Sequence, residues 1–246
     1  MPPSLPLRRV AAVLAGCLAA VACAGVPATA VAAPAEQGWP DLSVAAPAVT
    51  VGEADAAVIV AVDDYLAVPD IPGATGNAND WYSYLTQTRG ISGLRVHMLK
   101  GSNATREKIQ RALPQAAGSV GEGGRLWFVF IGHGAPARDG KGGVLVGYDA
   151  QQDPDSLYAR SVTQDEVLAA MAGGESHANV LVLDACFTGR AGDGAPLLPG
   201  FQPLIIADEP DTVPAGTVVL TAGSPGEFAG PLPGAERPAF ACARTT

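Results

Sequence analysis

The sequence predicts an α/β fold, a three-layer α/β/α sandwich built around a mostly parallel sheet. Two apolar runs carry most of that prediction. The first, Leu126-Trp127-Phe128-Val129-Phe130-Ile131, closes on Gly132-His133-Gly134; the second, Val180-Leu181-Val182-Leu183, closes on Asp184-Ala185-Cys186-Phe187-Thr188-Gly189. Short runs rich in β-branched and aromatic residues and bounded by glycine read as strands buried on both faces of a parallel sheet. The third observation is that strand-like and helix-like segments alternate around these runs, which puts helices on both sheet faces.

Taken in order, residues 56–62 form the first strand, 77–88 a helix, and 94–99 the second strand. Thr105 caps a helix running through Leu113, and the histidine-bearing strand follows. Residues 143–147 suggest a short strand or hairpin arm, and 149–155 an acidic loop. Thr163-Gln164-Asp165-Glu166 has the spacing of a capping box, with Val162 and Val167 as a hydrophobic staple, so a helix starts there and runs to about Ala172. After the cysteine-bearing strand, residues 203–206 and 217–221 supply one or two more strands. No internal repeat is visible.

The organisation expected is an export signal over 1–32, an Ala/Pro-rich flexible arm over 33–53 and a catalytic-type domain over 54–246. Arg8 and Arg9 form a positive region before an apolar stretch, and Ala28-Thr29-Ala30 and Ala30-Val31-Ala32 offer small-residue cleavage sites. The stretch falls short of the roughly 20 apolar residues that span a bilayer. Leu14-Ala15-Gly16-Cys17 is similar to the lipobox of bacterial lipoproteins, with Ala20-Val21-Ala22-Cys23 a weaker second match. Lipid-anchored and released products both stay open, and either is extracytoplasmic.

Without Arg8 and Arg9 the chain keeps 13 basic against 24 acidic residues, a net charge of −11. That sign argues against nucleic acid or an anionic membrane as partner. Cys17 and Cys23 leave with the leader or become anchors, so the domain keeps Cys186 and Cys242, too few for a disulfide scaffold. One Cys186–Cys242 bridge would silence the thiol.

In open α/β sheets ligands bind at the carboxyl ends of the strands. One run delivers an imidazole to that edge and the other a thiol. A thiol attacks as thiolate, and its ordinary pKa near 8.5 leaves only a few per cent ionised at neutral pH unless a neighbour helps. His133 can serve as base, or as acid for a leaving amine. Glycine on either side of His133 leaves room for a substrate backbone, and the Gly134 and Cys186 amides are candidate donors to an oxyanion. His97 and His177 read as structural or solvated.

The arrangement resembles the caspase-like cysteine peptidases, the group of caspases, metacaspases, legumains and gingipains. There an apolar strand ends in His-Gly, and a second strand roughly 50 residues later ends in the nucleophilic cysteine; here 53 residues separate His133 from Cys186. Asp184-Ala185-Cys186-Phe187-Thr188-Gly189 looks like the bacterial metacaspase form, Asp-x-Cys-x-x-Gly, and not like the caspase form, Gln-Ala-Cys-x-Gly. The resemblance implies a caspase-like fold and a cysteine endopeptidase with a polypeptide substrate and no organic cofactor. It makes Cys186 the nucleophile, His133 its acid/base partner and Asp184 a wall of the pocket for the residue before the scissile bond. The family's Asn-Asp after its first strand is matched by Asn79-Asp80, which makes Asp80 a second pocket carboxylate. Two carboxylates select Arg or Lys at that position.

From the residues alone, Asp184 could equally cap the turn after its strand. Asp63-Asp64 has the same two readings. Asp149, Asp153 and Asp155 lack the spacing of a calcium loop, so calcium, which some metacaspases require, is not assigned. The family's C-terminal half continues into a further helix, so a chain ending at Thr246 is expected to be truncated there. The rival to an enzyme is a catalytically inactive caspase-like binding or scaffold module.

Overall fold

The computed structural model describes residues 51–140, 142–174, 176, 178–191, 194–198, 213–222 and 237–238. The expected leader, all of the arm before residue 51, the strand at 203–206, His177 and Cys242 lie outside the described residues, as does nearly all of the chain after 222.

A five-stranded sheet forms the middle layer. Its strands are β1 (Ala56–Ala61), β2 (Val96–Lys100), β3 (Arg125–Ile131), β7 (Ala178–Asp184) and β8 (Thr217–Thr221). Their order is β2-β1-β3-β7-β8 and every pairing is parallel. Both apolar runs occupy the centre. Ile59, Val129 and Val182 share one register row, while Val58, Phe128 and Leu181 share the next, facing the opposite side.

On the first face lies α1 (Ala74–Ser83), whose Ala74, Ala78 and Trp81 pack with Ile59, Val129, Ile131 and Val182. The chain then widens into a π-helical turn, Tyr84–Thr88, which keeps Leu85 in the same core. On the second face, α2 (Arg106–Ala117) and α4 (Gln164–Ala172) cover Val58, Val60, Phe128, Phe130, Leu181 and Leu183. Phe128 and Phe130 are fully buried, where truncation to alanine costs about 3–5 kcal/mol. Helices on both faces of a parallel sheet make the expected three-layer sandwich. Among the described residues no helix is long and apolar enough to cross a membrane.

Several local expectations are met by their intended bonds. Thr105 Oγ1 accepts the Lys108 N–H at the start of α2. Both arms of the capping box form, Glu166 N–H to Thr163 Oγ1 at 3.0 Å and Thr163 N–H to Glu166 Oε2 at 2.8 Å, and Val162 and Val167 are buried together.

Other boundaries move. Helix α2 runs through Pro114, because Leu113, Ala116 and Ala117 keep packing on the core beyond it. The acidic loop runs into α3 (Pro154–Ala159), started by Asp153 as N-cap and Pro154 in its first turn. The hairpin arm is one strand of a separate antiparallel sheet, β4 (Gly134–Pro136), β5 (Gly143–Leu145) and β6 (Val162–Thr163), which packs beside α4 on the second face.

At the opposite end of the sheet Asp55 is buried and holds three groups at once. It accepts the Arg125 N–H at 2.9 Å and the Trp127 Nε1–H at 3.0 Å, and pairs with Arg89 at 3.5 Å. This fixes the start of β3, so the register carries through to its histidine end.

Candidate active site

Strands β3 and β7 end at neighbouring positions, just before His133 and Cys186. Ile131 pairs with Asp184, and the ladder continues one step further as the Gly132 N–H donates to the Asp184 carbonyl at 3.2 Å. His133 and Cys186 each stand two residues beyond that Ile131–Asp184 pair, at the carboxyl edge of neighbouring strands roughly 4.8 Å apart.

His133 is buried and held on several sides. Its Nε2–H donates to the Pro69 carbonyl at 2.7 Å. A carbonyl can only accept, so Nε2 carries the proton in that contact and Nδ1 is left as the nitrogen that takes or gives one. Its backbone N–H donates to the Tyr65 hydroxyl at 2.8 Å, and the two rings lie with centroids 5.0 Å apart. The loop between β1 and α1 therefore supplies a far-side acceptor and a packing surface for the imidazole.

Cys186 is half-buried. Its Sγ lies 3.0 Å from Thr188 Oγ1. The next side chain, Phe187, lies across one face of the β4–β5 hairpin. A Cβ on Gly143 would stand 2.3 Å from its ring, and one on Gly134 would stand 2.7 Å from the ring and 2.9 Å from the Cys186 carbonyl.

This changes the reading of the glycines flanking His133. The space beside Gly134 is filled by Phe187 and the Cys186 carbonyl, and that beside Gly132 by Tyr65 and Phe130, so both glycines serve the protein's own packing and not the approach of a substrate backbone. In the hairpin Val146 N–H donates to the His133 carbonyl and Ala137 N–H to the Gly142 carbonyl, so by antiparallel alternation the Gly134 N–H points away from β5.

Asp184 is buried on the α1 side of the sheet. Asn77, fully buried on α1, donates from Nδ2 to Asp184 Oδ2 at 3.4 Å and to the Pro238 carbonyl at 2.9 Å. Asp80, one turn later, does not present a bare carboxylate: Arg237 pairs with it. Asn79 lies apart and accepts from Lys100 Nζ at 3.2 Å. Asp63 receives the Thr75 and Ile71 N–H groups and so closes the β1–α1 loop as a cap.

The three carboxylates of the acidic loop go to separate partners. Asp149 pairs with Arg160, Asp153 caps α3, and Asp155 pairs with Arg138.

The roles of Tyr65, Pro69, Phe187 and Arg237 are not read from the sequence. Tyr65 left one signal, a single aromatic in the loop directly after the first strand. Arg237 meets Asp80, 157 residues away, a pairing that no local pattern marks.

No protein-family model and no curated protein matches the chain. Solved structures do. A Geobacter sulfurreducens protein is 17% identical with a TM-score of 0.43, the match covering 54% of this chain and 50% of that one. Caspase-1 of Spodoptera frugiperda is 16% identical with a TM-score of 0.42, over 75% of this chain and 65% of the caspase. This chain thus spans about half the length of the first and just under two thirds of the second.

Proposed function

We propose that the protein is a cysteine endopeptidase that cleaves after Arg or Lys through a Cys186–His133 dyad. The observation that carries this reading is the shared register: both side chains leave adjacent parallel strands two residues past one Ile131–Asp184 pair. A structural histidine and an inert buried cysteine have no reason to coincide at the ligand-binding edge of the sheet.

The mechanism follows from the groups at that edge. Cys186 Sγ, its proton passed to His133 Nδ1, attacks the peptide carbonyl and forms a C–S bond. The carbonyl electrons move to oxygen, where the Gly134 and Cys186 N–H groups stabilise the charge. As the oxyanion collapses, the C–N bond breaks and His133 returns the proton to the amine. Water then hydrolyses the thioester and restores the thiol. The Pro69 carbonyl supports each step by keeping Nε2 protonated and Nδ1 available.

Selectivity for a cation rests on Asp184 in this account, because Asp80 is already balanced by Arg237. On the leader read from the sequence, the enzyme acts outside the cytoplasm, lipid-anchored or released.

The test is modification of the purified, reduced domain by an Arg-directed peptidyl electrophile, alongside Cys186→Ala and His133→Ala. An adduct on Cys186 that slows without His133 supports the proposal. A folded, reduced protein that forms no adduct supports the inactive binding module instead.

A further inference from the structure

Tyr65 stands where a backbone hydrogen bond would ordinarily be. The hairpin register sets His133 opposite Val146, and the Val146 N–H donates to the His133 carbonyl at 2.9 Å. In an antiparallel pair of this kind the two residues exchange both bonds. Here the return bond is relayed: the His133 N–H donates to the Tyr65 hydroxyl at 2.8 Å, and that hydroxyl donates onward to the Val146 carbonyl at 3.4 Å. The phenol ring also lies against the imidazole, tilted by 36°. A Cβ on Gly132 would come within 2.7 Å of the hydroxyl, so the glycine before His133 makes room for it.

The loop carrying Tyr65 is itself tied down. The Tyr65 N–H donates to Asp70 Oδ1 at 3.0 Å, the Leu66 N–H to the Tyr148 carbonyl at 3.0 Å, and the Ile71 N–H to the Asp63 carbonyl at 2.8 Å. The same loop brings the Pro69 carbonyl to His133 Nε2. One short segment therefore grips His133 at its backbone, its ring face and its far nitrogen.

We propose that Tyr65 is a positioning residue for His133: its hydroxyl, wedged into the hairpin ladder, sets where β3 leaves the main sheet and so fixes the imidazole against Cys186. The inference rests on the reading of His133 and Cys186 as the catalytic pair. It assigns Tyr65 no contact with substrate. A group that sets the geometry of a catalytic base acts on the rate of the chemical step, since a misplacement of about 1 Å costs roughly 100-fold.

The experiment measures Cys186 modification by the Arg-directed peptidyl electrophile over a range of probe concentrations. It compares the wild type with Tyr65→Phe, which keeps the ring and removes the hydroxyl, and with Asp70→Ala, an exposed change that loosens the loop. The expected result is a maximal rate per folded molecule about 10- to 100-fold lower in Tyr65→Phe, a smaller fall in Asp70→Ala, and an unchanged half-saturating concentration in both. Wild-type maximal rates in both variants, whatever happens to their melting temperatures, overturn the proposal. Should Tyr65→Phe fail to fold, Asp70→Ala decides by the same criterion. Absence of adduct on wild-type Cys186 is a different failure: it removes the catalytic pair and the positioning role together.

Discussion

Replacing Gly143 with alanine probes how the nucleophile is held. The new Cβ would lie 2.3 Å from Phe187 Cδ1 and 2.8 Å from Cε1. Carbon atoms sit comfortably at about 3.5–4.0 Å, so the ring must retreat by roughly 1 Å. Cys186 is its covalent neighbour. A displacement of about 1 Å at a reacting group costs roughly 100-fold in rate, and forcing a methyl group into a filled contact costs about 1–3 kcal/mol. In a domain of this size each kcal/mol lowers the melting temperature by about 2–4 °C. The assay pairs the rate of Cys186 alkylation by the peptidyl electrophile with a thermal melt. Gly143→Ala is expected to lose both, and adding Phe187→Leu, which shortens the offending side chain, is expected to recover part of each. A Gly143→Ala protein with wild-type rate and melting temperature would refute the idea that Phe187 anchors the nucleophile to the hairpin.

Two further predictions concern charge. Asp184→Asn keeps the side-chain shape and removes its charge; if Asp184 selects the cation, a charge-assisted hydrogen bond of about 1.5–3 kcal/mol is lost, so modification by an Arg-directed probe should fall about 10- to 100-fold while a probe with a neutral side chain keeps its rate. Equal losses for both probes would remove Asp184 from the specificity pocket. In Glu166, burial opposes the charge, but the Thr163 N–H and the Arg106 guanidinium overcome it and hold the carboxyl below the usual range. The unfolded chain, titrating near pH 4.3, then binds more protons than the folded one, so this contribution is present above about pH 4.3 and is lost as the pH falls through the lowered folded value. Glu166→Gln should therefore be less stable at neutral pH and show a shallower acid limb, read from urea midpoints at several pH values; parallel curves would contradict it.

The middle strands β1, β3 and β7 were legible because they are largely buried on both faces, so composition alone marks them, and the start of α4 because cap chemistry such as Thr163 with Glu166 is written within four residues. The positions of His133 and Cys186 were legible for the same reason, each being the first reactive group after an apolar run. What was not legible depends on distant partners. Pro114 looks like the end of a helix until Ala116 and Ala117 are seen packing on the core. Gly134 looks like room for substrate until Phe187, 53 residues on, is found lying against it. Asp80 looks like a bare charge until Arg237, near the far end of the chain, is found paired with it. Tyr65 is a lone aromatic in the sequence and becomes meaningful only beside the hairpin it wedges open.

Mass spectrometry of a mixed peptide library identifies the peptide bonds that the purified, reduced protein cleaves, with Cys186→Ala as the reference. Cleavage by the Cys186–His133 dyad yields new termini with Arg or Lys before the broken bond, all absent with Cys186→Ala. Cleavage that persists without Cys186, or a folded wild-type protein that cuts nothing the variant does not, would contradict the dyad.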